Sequence, residues 1–199
     1  MTPAAFIERW KKNTASERAG AQPHFIDLCT MLGVDAPNAR PDEINDYAFE
    51  RGAKRTGAGR GWADVWKRGH FAWEYKKPYG DLNAALRQLM TYALALDNPP
   101  LLVVSDRLQI HIHTHFTGTP SEVHSVALED IGNAENQQKL RWLFEDPEKF
   151  KPRRTTAGLT QEAANIFGDL ALSLQTRGYD PKQVAHFLNK GTSKNSLSL

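Results

Sequence analysis

The stretch ADVWKRGHFAWEYKK, residues 63–77, decides the fold of this chain. Two runs rich in aromatic residues, 62–67 and 71–77, flank the turn-forming segment 68–70. Runs of this length on both sides of a glycine-containing turn are typical of a β-hairpin. The sequence therefore predicts two neighbouring antiparallel strands here.

The predicted hairpin brings two carboxylates and a lysine to one place. Side chains alternate between the two faces of a strand, so Glu74 and Lys76 point the same way. Asp64, with nine residues between it and Glu74, arrives from the preceding strand. Carboxylates hold hard cations such as Mg²⁺, which neutralise phosphate charge and lower the pKa of a bound water. Because a lysine beside the cation stabilises developing charge, the three residues predict hydrolysis of a phosphodiester.

The predicted metal ligands are the carboxylates of Asp64 and Glu74 and the backbone carbonyl of Tyr75. Glu50, which the sequence places on a helix before the hairpin, is a candidate for a further acidic ligand. Mg²⁺ is the expected cofactor, with Mn²⁺ as its substitute. The alternative interpretation of the hairpin is a solvated strand face that carries an ion pair. Lys77 belongs to the opposite strand face and is expected in solvent.

The segment 81–96 has the apolar spacing of an amphipathic helix. Its apolar stripe consists of Leu82, Ala85, Leu86, Leu89, Ala93 and Leu96. Gln88 and Tyr92, one helical turn apart, lie together on the edge of this stripe. We expect both to face the cleft with Glu74 and Lys76, where they position the phosphate or a metal-bound water. The alternative is a polar helix edge with a half-buried tyrosine.

This combination of motifs resembles the PD-(D/E)xK superfamily of metal-dependent nucleases. Asp64, Glu74 and Lys76 follow its D-x9-E-x-K pattern. Gln88 and Tyr92 resemble the Q-x-x-x-Y motif of its RecB-like branch. The resemblance implies that these five residues are catalytic and that the fold is restriction-endonuclease-like.

The composition is compatible with such a protein. The chain has 199 residues, 40% of them apolar and 24% charged, as expected for one globular domain with an appendage. A net charge of +2 permits binding to nucleic acid without requiring it. The single cysteine, Cys29, is expected as a reduced core thiol. Because no run has the length of a transmembrane helix and the N-terminus lacks the apolar core of a signal peptide, the expected location is the cytoplasm.

Helices and further strands are predicted around the hairpin. The expected helices cover 3–10, a segment from a capping box at Thr14 and Glu17 to Leu32, a segment ending near Lys54 that carries Tyr47, Phe49 and Glu50, and 135–144. The further strands cover 101–105, 108–114 and 123–128. This order predicts an α/β fold, a restriction-endonuclease-like mixed β-sheet flanked by helices, followed by a short helical segment.

The C-terminal part of the chain differs in character. A basic linker is predicted over 147–158, followed by a helix from an N-cap at Thr160 to Arg177 and a second helix that starts at Asp180. The polar residues 191–199 are expected to be disordered. We therefore predict three segments: a nuclease domain over 1–150, a linker with the start of a helical spacer over 151–190, and a tail over 191–199.

A more specific resemblance extends to about Lys190. It is carried by the strings FIERWKKNTASERAGAQPHFIDLC at 6–29, DYAFERG at 46–52, ADVWKRGHFAWEYKK at 63–77 and NPPLLVVSD at 98–106. These strings resemble the N-terminal region of MmeI-like type IIL restriction–modification proteins. The resemblance implies a Mg²⁺-dependent endonuclease domain that acts on double-stranded DNA in restriction–modification or phage defence. The methyltransferase domain, with its S-adenosylmethionine, and the target-recognition domain of a full-length relative would lie beyond this chain.

Two features invite other interpretations. Asn98-Pro99-Pro100 imitates an amino-methyltransferase motif, but Leu101 stands where an aromatic residue should stack on a flipped base, so a loop before a strand is favoured. The tryptophans Trp62, Trp66 and Trp73 have the chemistry to stack on bases, but packing beside the sheet is favoured.

Three histidines, His111, His113 and His115, share one face of a predicted strand. Imidazole is a zinc ligand, so a zinc site is the functional interpretation. Without a carboxylate or cysteine at suitable spacing, structural or solvated histidines are favoured.

Two further functions stay open: a non-catalytic DNA-binding or scaffold module that retains the fold, and a repair nuclease of RecB type. The intact triad favours an active nuclease over the scaffold. Basic residues expected near the cleft, where they would bind phosphates, are Lys54, Arg55, Arg60, Lys67, Arg68, Lys76 and Lys77. Because cutting both strands of a duplex at one site requires two nuclease copies, a transient dimer on DNA is expected.

Overall fold

A computed structural model describes residues 1–37, 46–54, 60–180, 182–184 and 186, with only the backbone described for 51–54 and 60–62. The chain divides into two compact units, Met1–Arg153 and Arg154–Leu199. The functions predicted for the segments 1–150 and 151–190 stay predictions.

The first unit is built on a six-stranded mixed sheet. Its strands are β1 (Tyr47–Lys54), β2 (Arg60–Lys67), β3 (Phe71–Tyr75), β4 (Leu101–Ser105), β5 (Gln109–Thr114) and β6 (Val123–Ala127). They lie in sequence order, and all neighbours are antiparallel except β3 and β4, which are parallel. A parallel pair needs a crossover connection, and the helix after the hairpin supplies it. The predicted α/β fold class is therefore confirmed.

Helices cover both faces of the sheet. They are α1 (Pro3–Lys11), α2 (Glu17–Leu32), α3 (Leu82–Tyr92) and α4 (Ala134–Glu145), with short 3₁₀ turns at Ala93–Leu96, Leu128–Asp130 and Pro147–Phe150. One face packs Phe25 of α2 and Leu140 of α4 against Trp73. The other face packs Leu89 of α3 against Trp66. Since both tryptophans are at most 1% exposed, their predicted role in the core is confirmed, whereas the side chain of Trp62 lies outside the described residues.

The helix predicted to end near Lys54 is wrong where the structure describes it, because Tyr47–Lys54 is strand β1. Residues 38–45 of that prediction lie outside the described residues. The segment contains several good helix formers, but β1 pairs with β2 from Tyr47 opposite Lys67 to Lys54 opposite Arg60. Cross-strand pairing of this extent overrides local helix propensity.

The capping box predicted at Thr14 and Glu17 is also wrong. Helix α2 begins at Glu17, and the N-cap is Ser16, whose hydroxyl accepts a hydrogen bond from the backbone N–H of Ala19. The predicted stop is confirmed, since Gly33 ends the helix in the left-handed conformation. Glu17 therefore lies in the first turn and is free of a capping task.

The second unit contains α5 (Thr156–Thr176). Its N-cap is Thr155, which accepts from the N–H of Gly158, and not the predicted Thr160. The predicted linker is therefore partly helical. Residues 182–184 are helical, whereas the predicted tail over 191–199 lies outside the described residues. Within the described part of the chain, no helix is both long and apolar enough to cross a membrane.

Candidate functional site

The candidate site lies where β2 and β3 separate. The last paired residues there are Val65 and Trp73, and the same register puts Asp64 opposite Glu74. Beyond this last pair, the contact between the two strands is made by a side chain: Asp64 Oδ2 accepts a hydrogen bond of 2.7 Å from the backbone N–H of Tyr75. The carboxylate of Asp64 is thereby fixed to the backbone of the E-x-K motif.

Glu74 is the centre of a small hydrogen-bonded cluster. Its Oε1 accepts from Lys76 Nζ at 2.9 Å and from Gln88 Nε2 at 2.7 Å. Lys76 Nζ also donates to Gln88 Oε1 at 3.2 Å, so the three side chains bind one another pairwise. Glu74 is only 5% exposed, and its second oxygen, Oε2, is buried without a hydrogen-bond partner among the described residues. A buried carboxylate oxygen of this kind is costly unless something binds it.

Burial and charge shift the pKa values of these groups. Burial raises the pKa of Glu74 to about 7, and the nearby charge of Asp64 adds to the increase. Burial also raises the pKa of Asp64, against the hydrogen bond from Tyr75. Burial acts to lower the pKa of Lys76, but its hydrogen bond to Glu74 and the surrounding acidic charge outweigh burial and raise it. Lys76 therefore keeps its positive charge beside two carboxyl groups, of which Glu74 is buried and Asp64 is half-buried.

Glu17 joins this cluster, although it was not predicted as a site residue. Its Oε2 accepts from the backbone N–H of Lys77 at 3.0 Å, and its Oε1 lies 3.9 Å from Lys76 Nζ. An acidic residue in the first turn of a helix is stabilised by the helix dipole, and this signal was available in the sequence. What the sequence could not give is that the first turn of α2 ends beside the E-x-K strand.

Glu50 lies on strand β1 and not on a helix, as was predicted. The register of β1 on β2 puts it opposite Asp64, and it has a left-handed φ of 52°. Gln22 Nε2 lies 3.5 Å from its Oε1. A cavity of about 370 Å³ is lined by Glu17, Arg18, Ala21, Gln22, Glu50 and Asp64. Glu50 therefore faces the same cavity as Asp64, while the acid supplied by a helix is Glu17.

The remaining residues predicted for the site are Tyr92 and a set of basic side chains. Tyr92 is half-buried and packs against the apolar cluster around Ala85 and Leu89. Two basic residues expected in the cleft have contacts elsewhere: Lys67 Nζ donates to the Phe144 carbonyl, and Arg68 pairs with Asp46 and Asp97. The side chains of Lys54, Arg55 and Arg60 lie outside the described residues. Among the members of that basic set whose side chains the structure describes, only Lys76 and Lys77 adjoin the site, and the Lys77 side chain is exposed as predicted.

The histidines and the cysteine behave as structural residues. His111 binds the side chain of Gln109 and His115 lies 3.4 Å from the Pro99 carbonyl. Among the described residues, no group of three or more His, Cys, Asp or Glu side chains is arranged to hold a metal ion, either on β5 or around Asp64 and Glu74. Cys29 is buried, and burial raises its pKa to about 12, so it is a core thiol.

The fold and the site define an α/β protein in which two carboxylates, a lysine and a glutamine converge at one end of a hairpin. Residues 1–177 match the family described as MmeI, N-terminal domain. The chain therefore belongs to the MmeI N-terminal domain family, which confirms the resemblance found in the sequence. This membership identifies it as a region of a restriction–modification protein. No curated protein and no solved structure matches the chain.

Proposed function

We propose that the Met1–Arg153 unit is a Mg²⁺-dependent deoxyribonuclease domain that hydrolyses phosphodiester bonds of double-stranded DNA. The observation that carries the proposal is the difference in hydrogen bonding between the two carboxylate oxygens of Glu74. One of its oxygens is held by Lys76 and Gln88, while the other is buried without a partner in the described part of the chain. This arrangement, next to Asp64, suits a cation site better than a closed structural ion pair.

The residues present fit a hard divalent cation. Mg²⁺ is bound in proteins by one or two carboxylates together with several waters. Glu74 Oε2 supplies one oxygen, and Asp64, whose Oδ2 is engaged by Tyr75, has Oδ1 as a second. A cation bound there would neutralise phosphate charge and lower the pKa of a bound water. The Tyr75 carbonyl as a further ligand belongs to the same proposal. Glu50 lines the cavity beside Asp64, but no three acidic side chains of the described residues are arranged to hold one ion.

Lys76 and Gln88 have different tasks in this scheme. The side chain of Lys76 is 20% exposed, so its ammonium can reach a phosphate from a fixed position. Its raised pKa keeps the charge in place at neutral pH. Gln88 donates to Glu74 and accepts from Lys76, so it holds the carboxylate and the ammonium at a set separation. Tyr92 is the last residue of α3 and packs against the apolar cluster around Leu89. We propose that it supports the C-terminal end of this helix.

The direct test is incubation of the chain with supercoiled plasmid and Mg²⁺ or Mn²⁺. We expect slow nicking that EDTA abolishes and that Lys76→Ala removes. Lys149→Ala serves as the matched control, because Lys149 is an exposed lysine on the 3₁₀ turn Pro147–Phe150, where it pairs with Asp146. Equal nicking by the wild type and Lys76→Ala would contradict the proposal. A wild type that binds DNA without any nicking would favour the scaffold interpretation.

Substitution of Gln88 by alanine should lower the nicking rate about tenfold to a hundredfold, the usual effect of removing a residue that orients a metal-site ligand. The reason is that Glu74 and Lys76 each lose a hydrogen bond that fixes them. Initial nicking rates at saturating Mg²⁺ measure this effect. Asn83→Ala is the control, since Asn83 is an exposed amide on the same helix. A Gln88→Ala rate within twofold of the wild type would remove Gln88 from the site.

Binding to DNA should be weak, independent of sequence and steeply dependent on salt. Reading bases requires side chains against base edges, and the resemblance assigns that task to the target-recognition domain and not to the N-terminal region. Phosphate contacts alone give dissociation constants of about 10⁻⁴–10⁻⁶ M at physiological salt. Fluorescence anisotropy with unrelated duplexes over a salt series measures this, with Ca²⁺ in place of Mg²⁺ to prevent cleavage. Discrete restriction bands, or a strong preference for one duplex, would contradict the expectation.

A further inference from the structure

Arg107 is a buried arginine at the turn between β4 and β5. It is 3% exposed and has a left-handed φ of 74°, which is uncommon for a residue with a long side chain. Its backbone N–H donates to Ser105 Oγ at 3.0 Å, and this bond closes the turn. A buried charge is retained only where other groups compensate for its lost hydration, so its partners indicate what the residue does.

The guanidinium of Arg107 binds the segment that joins α1 to α2. Its Nη1 donates to Asn13 Oδ1 at 3.2 Å, and its Nη2 donates to the carbonyl of Ala15 at 2.7 Å. Both acceptors are more than 90 residues away in sequence. The side chain is therefore a cross-link between the turn after β4 and the start of α2.

Gly20 gives the guanidinium its space. A Cβ built on Gly20 would lie 1.8 Å from Arg107 Nη1 and 2.7 Å from Cζ. Any other residue at this position in α2 would displace the end of the arginine side chain. Because that end of the Arg107 side chain is flexible, a side chain at position 20 would push it aside and break its hydrogen bonds to Asn13 and Ala15, while the rest of α2 stays in place.

The cross-link ends two residues from Glu17. Ala15 accepts from Arg107, Ser16 is the N-cap of α2, and Glu17 reaches the E-x-K segment through the N–H of Lys77 and the ammonium of Lys76. Further along α2, His24 is 2.8 Å from the hydroxyl of Tyr75. His24 also interacts with Arg107, so the anchor that is independent of Arg107 is the set of buried core residues of α2, among them Phe25 and Leu28.

We propose that Arg107, passing over Gly20, is a positioning residue that holds the first turn of α2 so that Glu17 stays against Lys76 and Lys77. The effect on catalysis rests on the proposed nuclease function, whereas the effect on the geometry of α2 does not. Arg107 touches none of the reacting groups and acts through Glu17.

The test that needs no activity is hydrogen exchange at the Lys77 amide, which Glu17 protects. Arg107→Met and Gly20→Ala should each increase its exchange rate about tenfold, as expected for the loss of one hydrogen bond to a charged acceptor. Arg107→Lys, which keeps the charge but cannot bind both acceptors as a planar fork, should give a smaller increase. The matched control is Arg141→Met, because Arg141 Nε donates to the Leu32 carbonyl at the other end of α2.

Nicking assays then separate a positioning role from general destabilisation. If Arg107 acts through Glu17, Glu17→Gln combined with Arg107→Met should lose no more activity than Glu17→Gln alone, since coupled residues are non-additive. Unchanged Lys77 exchange in both Arg107→Met and Gly20→Ala would overturn the proposal, as would equal increases in Arg141→Met. If the wild type nicks no DNA but Lys77 exchange responds as expected, the positioning role stands and the nuclease proposal fails.

Discussion

Asp64→Ala should abolish DNA cleavage, with a loss of about 10²–10³-fold or more, the scale on which removal of a key electrostatic group slows an enzyme. The variant loses the carboxylate that shares the proposed cation with Glu74. It also loses the acceptor of the Tyr75 N–H, a hydrogen bond of 2.7 Å. Rates of plasmid nicking with Mg²⁺ and with Mn²⁺ measure the loss, and circular dichroism checks that the fold is intact.

Asp64→Asn separates these two effects. Asparagine keeps an oxygen that can accept from Tyr75 but removes the negative charge, so we expect nearly the same loss of cleavage with less effect on stability. Glu8→Gln is the matched control, because Glu8 is an exposed carboxylate on α1 that pairs with Lys12 one turn away. Wild-type nicking by Asp64→Asn would show that the charge is dispensable and that no cation is held there.

Glu74→Gln should make the chain more stable above pH 7 in the absence of metal. Burial raises the pKa of Glu74 from 4.5 to about 7, so the folded state favours the protonated carboxyl. Between these values the folded chain binds more protons than the unfolded chain, and the free energy of unfolding falls as pH rises. A change of this size corresponds to roughly 3 kcal/mol. Glutamine avoids the loss, so the two proteins should differ at pH 8 and converge below about pH 4.5.

Urea unfolding at several pH values with EDTA measures this difference, and added Mg²⁺ gives the second half of the test. A ligand that binds only the folded state stabilises it in proportion to the logarithm of its concentration. Mg²⁺ should therefore stabilise the wild type and do so far less in Glu74→Gln. Parallel pH profiles for the two proteins would show that the pKa of Glu74 is the same in the folded and the unfolded chain. An equal response to Mg²⁺ would place the cation elsewhere.

The hairpin and the helix after it were predictable because their signals are local. Strand alternation predicted that Glu74 and Lys76 point the same way, and their side chains meet although β3 ends at Tyr75 and not at Lys77 as predicted. Gln88 was expected near both because its helix follows the strand within a few residues. The structure brings these three together over hydrogen bonds of 3.2 Å or less. The catalytic roles assigned to them are proposals that the nicking assays test.

The parts that were missed depend on contacts that the residues of one segment do not show. Tyr47–Lys54 becomes a strand because it pairs with β2, the next strand in the chain, although the segment contains several good helix formers. Glu17 reaches Lys77 across 60 residues of sequence. Gly20 and Arg107 fit each other only in the folded chain. Single positions of this kind have no periodicity, so pattern analysis cannot connect them.

The chain offers a practical advantage through its one cysteine. Cys29 is 1% exposed, and a thiol whose pKa is about 12 contributes almost no thiolate at neutral pH. We therefore expect Cys29 to react very slowly with a maleimide dye or a thiol-reactive nitroxide. A cysteine placed at an exposed position such as Leu94, which is 86% exposed on the 3₁₀ turn after α3, becomes the single reactive thiol. Distances from such a label to labelled DNA can then be measured without altering the native core.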